Sequence, residues 1–156
     1  SILVWMFLVA SIGYLGWERY HIIYPALHNS QTLAQVAKYP YGAVQYIKEN
    51  EPKGKLFNEY NWGGYLVWQL PQKRVFIDGR MAIWKTQSQD IFRDYVNISS
   101  NAENAGELLQ NYGVGLALVF KDRKSKDYFL LNKDNWKIIY QDDISILFQR
   151  EDLIGV

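Results

Sequence analysis

The chain has 156 residues, a formal net charge of +1 and no cysteine. That length is enough for one domain with a real core. The near-neutral balance supplies no field for nucleic acid, and the absent thiols exclude disulfides, thiolate nucleophiles and cysteine metal sites. Aromatic residues make up 16%, with six Trp and twelve Tyr, a heavy load for a small soluble domain, and charge is segregated, because residues 1–17 carry none.

That uncharged opening, SILVWMFLVASIGYLGW, is interrupted only by Ser and Gly. Seventeen helical residues reach about 26 Å, close to the thickness of a hydrocarbon core. A signal peptide would carry a basic start and a small-residue cleavage site, and a buried soluble helix would show a polar face. A membrane helix over residues 1–20 fits best, the last span of a longer protein, with Tyr14, Trp17, Tyr20 and Tyr24 as an aromatic belt where it leaves the lipid. Among the twenty residues after Trp17 only Arg19 is basic, which favours an extracytoplasmic position for the rest of the chain. His21 and His28 lack acidic or cysteine partners at ligand spacing and read as interfacial polar residues, so no metal site is expected.

Residues 21–38 read as a juxtamembrane helical connector, with Asn29-Ser30 capping a short helix from Gln31 to Lys38. A soluble α/β domain is predicted over 39–156. Tyr41 to Asn50 is amphipathic, with Ala43, Val44 and Ile47 on its apolar side, and Glu51-Pro52-Lys53-Gly54 ends it in a turn. Lys55 to Tyr60 is the first predicted strand. The adjacent Gly63-Gly64 permit positive φ or close backbone approach, and Tyr65 to Leu70, too apolar to face water, makes about two helical turns before Pro71. Arg74 to Asp78 is predicted as a second strand.

Further on, Thr86 to Val96 is predicted helical, with Ile91, Phe92, Tyr95 and Val96 inward and Gln87, Asp90 and Asp94 outward. Ser100 or Asn101 is expected to cap the next helix, whose Ala105, Leu108, Leu109 and Tyr112 repeat at helical spacing before a C-terminal Gly113. Gly115 to Phe120 is a continuous apolar run, the mark of a strand covered on both faces. Lys121 to Lys126 reads as a solvated loop and Asp127 to Asn132 as a short helix. Trp136 to Gln141 and Ile144 to Gln149, around Asp142-Asp143, form a C-terminal hairpin. The whole predicts an α/β fold: a mixed sheet of about five strands with flanking helices and a C-terminal β-hairpin, preceded by one transmembrane helix.

In open α/β sheets ligands bind beyond the carboxyl ends of the strands. This rule gathers Asn58, Glu59 and Asn61 with Asp78 and Arg80 on one rim, and adds Lys121 and Asp122. Carboxylate, guanidinium and amides together suit sugar hydroxyls or a phosphate. The competing structural role is a turn cap at Gly79, with Asp78 paired to Arg80 or Arg74. A glycosidase pair of Glu59 with Asp78 would depend on their separation. Trp62, Trp68 and Trp84 offer stacking faces, although Trp68, in so apolar a helix, reads as core. Gly63-Gly64 lacks the spacing of a dinucleotide fingerprint or a P-loop, so no cofactor is expected. Asn97-Ile98-Ser99 is a glycosylation sequon, a short motif of high chance frequency.

The string NEYNWGGYLVWQLPQKRVFIDGRMAIW, the LLQNYGV step into a strand and the closing WKIIYQDDISILFQR resemble the C-terminal extramembrane domain of polytopic glycosyltransferase-like membrane proteins. These are related to dolichyl-phosphate-mannose–protein mannosyltransferases. The resemblance covers roughly residues 40–150, and Trp62-Gly63-Gly64-Tyr65 with Phe76-Ile77-Asp78-Gly79-Arg80 are its most specific pieces. It implies an extracytoplasmic accessory domain whose parent uses a lipid-linked sugar donor. The parent's catalytic acidic residue would lie in an early loop between membrane helices, so this resemblance assigns no catalytic residue to the chain. The implied partners are the bilayer through residues 1–20, the parent's membrane domain, and a glycan or lipid-linked sugar. Two other readings stand beside it: a noncatalytic membrane-anchored module that binds carbohydrate or protein, and a free-standing hydrolase.

Overall fold

The computed structural model describes residues 2–29, 31–32, 34, 37–80 and 90–155. They divide into two units, residues 1–39 and 40–156. The first is dominated by α1 (Ile2–His28), a 27-residue helix that continues past residue 20 into the stretch predicted as connector. Its segment Ile2–Pro25 is long and apolar enough to cross a membrane, with mean hydropathy 1.3 and none of that window buried. The apolar side chains point outward all round it, Trp5, Phe7, Val9 and Ile12 among them. A helix of that kind has no stripe with which to pack on a soluble core. Beyond it, the Asn29 carboxamide accepts from the amides of Gln31 and Thr32 at 2.9 and 3.3 Å, the expected helix cap.

The second unit is built on a four-stranded mixed sheet of order β1-β2-β4-β3. The strands are β1 (Lys55–Asn58), β2 (Val114–Phe120), β3 (Trp136–Gln141) and β4 (Ser145–Arg150). β1 runs parallel to β2, and β2 and β3 both pair antiparallel to β4. The α/β class, the hairpin and the flanking helices agree with expectation, but the sheet has four strands rather than five. Arg74–Asp78 is not a strand. It lies against the end of β1, yet the groups that meet its backbone belong to the Asn58 side chain, so no ladder forms.

Side chains alternate across the sheet, as the period of two requires. Phe57, Ala117, Val119, Ile146 and Phe148 lie in one core together with Ile98, Leu109, Phe129 and Trp136. The helices on that face are α4 (Ile91–Ser99), α5 (Ala105–Asn111) and α6 (Asp127–Leu131). Leu56, Leu116, Leu118 and Leu147, also buried, alternate to the opposite face. There α2 (Tyr41–Asn50) buries Ala43, Val44 and Ile47 as predicted, and α3 (Gly63–Gln69) buries Leu66. Three layers result, and β2, at the centre of the strand pattern, is buried along almost its whole length.

Two helices depart from expectation. In α4, Asp94 and Ile98 are buried, whereas Phe92 and Val96 are exposed. The phenol of Tyr112 donates to Asp94 Oδ2 at 2.7 Å, a partner that makes burial of this carboxylate tolerable. The segment predicted as the start of that helix, Thr86 to Gln89, lies outside the described residues. In α3, Val67 and Trp68 are exposed, Trp68 to 66%, so the segment read as too apolar for water presents its largest ring to it. Seven residues make under two turns, and only the Leu66–Leu70 side reaches the sheet. The N-cap of α5 is Asn104, not Ser100 or Asn101. Gly113, with φ +65°, ends that helix as expected.

Candidate functional site

The predicted rim forms where β1 and β2 end side by side. Asn58, the last residue of β1, is fully buried and works as a piece of backbone. Its Nδ2 donates to the carbonyls of Glu59 and Ile77, both at 2.9 Å, and its Oδ1 accepts from the amides of Phe76 and Ile77 at 2.8 and 3.4 Å. A carboxamide has both donor and acceptor, so it can complete the hydrogen bonding of a neighbouring extended segment that no strand reaches. Here it stitches residues 76–77 to the sheet.

Gly63 fixes the same segment from the other side. A Cβ there would meet the Ile77 carbonyl oxygen and stand 2.5 Å from Asp78 Cα, so the start of α3 approaches this backbone as only glycine allows. Gly64, by contrast, faces open space. Of the two readings of the glycine pair, close approach holds at Gly63, whose φ is −53°.

Glu59 is 2% exposed. Its Oε1 accepts from the Phe120 amide at 3.3 Å and from the Ser125 hydroxyl, and its Oε2 accepts from the Tyr95 phenol at 3.1 Å. The Arg123 guanidinium stands 3.9 Å from Oε2 and lies over the Phe120 ring, 4.1 Å from its centroid. Trp62, buried, packs its ring on that of Phe120 with centroids 4.0 Å apart. A buried carboxylate is tolerated only where donors and a counter-charge surround it, and Glu59 draws its own from β2, the loop after it and α4. Burial, and then the Glu59 charge, push the Tyr95 phenol above its ordinary pKa. The loop from Lys121 to Lys126, predicted as solvated, therefore sends Ser125 inward. Lys121 pairs with Asp143 at 3.5 Å, while Asp122 faces solvent.

Asp78 is also 2% exposed, and its partner is Arg80 rather than Arg74. The Arg80 amide and Nε reach Asp78 Oδ1 at 2.8 and 3.0 Å, and Nη2 reaches Oδ2 at 2.7 Å. The guanidinium fork holds the carboxyl below its usual range, against the opposing effect of burial. The carboxylate thus closes a turn around Gly79, and Arg80, 70% exposed, carries the side of the pair that meets water freely.

The chain therefore brings Asn58 against the 76–78 segment and keeps Glu59, Asn58 and Asp78 inside, whereas Asn61 and Arg80 are exposed. A carboxyl held low suits the base or nucleophile of a glycosidase pair rather than its acid, but here both Asp78 oxygens are engaged by Arg80. Trp84 lies outside the described residues, and Trp62 is covered by the fold. Among the described residues no group of three or more His, Asp or Glu is placed to hold a metal ion.

Away from the rim, a cleft of about 500 Å³ is lined by Ile47, Lys48, Glu51, Leu70, Gln72 and Lys73. Lys48 Nζ donates to Gln69 Oε1 at 2.9 Å, and Lys73 Nζ donates to the Pro52 carbonyl at 2.8 Å, tying α2 to the end of α3. Sequence reasoning passed over these residues. Their signal is faint, because the two lysines, the glutamate and the glutamine are scattered over a turn and two helix ends and form no motif. Compared with known proteins, the chain matches no family model, no curated protein and no solved structure.

Proposed function

We propose that this chain is the extracytoplasmic C-terminal accessory domain of a membrane-embedded glycosyltransferase-like protein that uses a lipid-linked sugar donor, with the transfer chemistry supplied by the parent's membrane part. The observation that carries the noncatalytic role is the closure of both rim carboxylates by the chain's own donors: Glu59 by Ser125, Tyr95, Phe120 and Arg123, and Asp78 by Arg80. Groups spent in this way stabilise a module; they do not meet a substrate without breaking it. The apolar α1 supports the anchor, and the lone Arg19 in its flank supports the side. A second reading, a membrane-anchored module that binds carbohydrate or protein, draws support from Trp68, an exposed ring of the kind that sugars and partners stack on.

The absence of cysteine makes topology directly testable. Lys133→Cys places one thiol on an exposed turn after α6. A membrane-impermeant maleimide should label it on intact cells. Labelling only after permeabilisation would overturn the assignment of side. For the accessory role, membranes with the full parent protein are compared with membranes lacking residues 40–156 in sugar transfer from a polyprenyl-phosphate donor. The expected result is transfer by the first and a large loss in the second. Equal transfer refutes the accessory role, and no transfer by either refutes the transferase.

A further inference from the structure

We propose that the outer face of α3, together with the Lys48–Lys73 cleft, docks on an anionic lipid surface, so that the domain is held at the headgroup region by its own side chains as well as by its anchor. This rests on α1 being embedded in the bilayer.

Three observations support this docking. Trp68 is 66% exposed, the highest value of any tryptophan described in residues 40–155, and Val67 beside it is 38% exposed. Tyr65 packs edge-on against Trp68, with ring centroids 6.3 Å apart, and gives the pair a fixed aromatic prow. An amphipathic ring beside an aliphatic side chain suits the boundary between headgroups and acyl chains. The flanking charge is positive: residues 48–53 and 67–74 carry Lys48, Lys53, Lys73 and Arg74 against Glu49 and Glu51. Lys48 and Lys73 reach the cleft from different elements beside Glu51, each ammonium has three donors against the one internal bond described above, and the volume of about 500 Å³ admits a phosphate headgroup. The tether is short as well. Eleven residues, 29–39, separate α1 from the domain. Fully extended they span about 40 Å, which keeps the local concentration of lipid surface high. The other large apolar side chains exposed among the described residues of 40–155, Phe92, Val96, Leu131, Ile138 and Ile154, include no amphipathic ring of this kind.

The test uses the full chain in phosphatidylcholine vesicles with and without phosphatidylglycerol. Single cysteines at Val67, Lys133 and Val9 carry a spin label whose collisions with oxygen and with a water-soluble nickel chelate report depth. With phosphatidylglycerol, the oxygen-to-nickel ratio at residue 67 should rise severalfold over that at residue 133, which comes after α6 on the opposite sheet face. Lys48→Glu with Arg74→Glu should return it to the value at 133, with the circular dichroism of the variant unchanged. A label at residue 67 that stays in water while the label at 9 is deep overturns the docking and leaves the anchor intact. A label at 9 in water overturns the anchor reading itself. Shielding of residue 67 from both reagents, growing with protein concentration in detergent, would assign the face to a second protein copy and overturn the lipid proposal.

Discussion

Replacing Asn58 tests whether one carboxamide does the work of a strand. Asn58→Ala removes three well-formed hydrogen bonds, those at 2.8, 2.9 and 2.9 Å, and orphans the Phe76 amide and the Ile77 carbonyl in a buried place. At about 1 kcal/mol net per bond, the loss is about 3 kcal/mol, and incomplete rehydration of the orphaned groups raises it. Asn58→Asp has almost the same shape but puts an oxygen where a donor stood 2.9 Å from two carbonyl oxygens. At neutral pH it should therefore cost more than alanine, because a buried carboxylate then faces like partial charge. The folded pKa of the new carboxyl must lie above its unfolded value of about 3.9. The penalty is then complete above the folded pKa and shrinks as pH falls toward the unfolded one, where the protonated acid can donate once. Urea unfolding of the full chain in detergent at several pH values, with amide exchange at Phe76, measures both effects. An Asn58→Asp protein as stable as the parent at pH near 7, or one without relative recovery in acid, refutes the reasoning.

Gly63→Ala should destabilise strongly, since its Cβ would stand 2.5 Å from Asp78 Cα, whereas Gly64→Ala, in open space, should stabilise by up to about 1 kcal/mol; paired melting curves compare them. Because Arg80 lowers the Asp78 pKa, that carboxylate contributes stability present above about pH 4 and lost as pH falls through its folded value. Arg80→Ala should flatten this acid limb of the midpoint-versus-pH curve, and an unchanged limb would refute the assignment. Burial and then the hydrogen bond to Asp94 raise Tyr112 to about 12, and burial and then Asp142 raise Tyr140 to about 12. A phenol with a raised folded pKa stabilises below its unfolded value of about 10 and loses that contribution as pH climbs. Stability should fall across that alkaline window, less steeply in Tyr112→Phe, and ultraviolet difference titration against that variant should place its phenol at the top of the range.

Polar strand ends are places where ligands gather, but they are also places where a sheet must end and the next loop must be tied down. Asn58 and Glu59 are adjacent, and both serve the second need. A substitution at either that abolished an activity would be expected to lower stability in parallel, so activity loss alone would not identify a binding residue. Arg80 and Asn61, both exposed, are the rim positions at which the two effects separate.

Local periodicity was enough to recover most of the elements. The apolar run of β2, the alternation around Asp142-Asp143 and the spacing in α2 are each dictated by neighbours within a few residues, so the sequence by itself determined the α/β class, the hairpin and a lead helix that is uncharged up to Trp17. Composition likewise excluded thiol chemistry. What only the tertiary structure decided were the partners of polar groups and the depth of apolar ones. Ser125 meets Glu59 across 66 residues, and Asn58 meets Phe76 across 18. Those bonds put a side-chain stitch where a fifth strand was expected and tie Asn58 and Glu59 of the predicted rim into the fold. Trp68 came to the surface and Asp94 went under it for the same reason: burial depends on which face of a short helix finds the sheet, and that face is chosen by contacts far away along the chain.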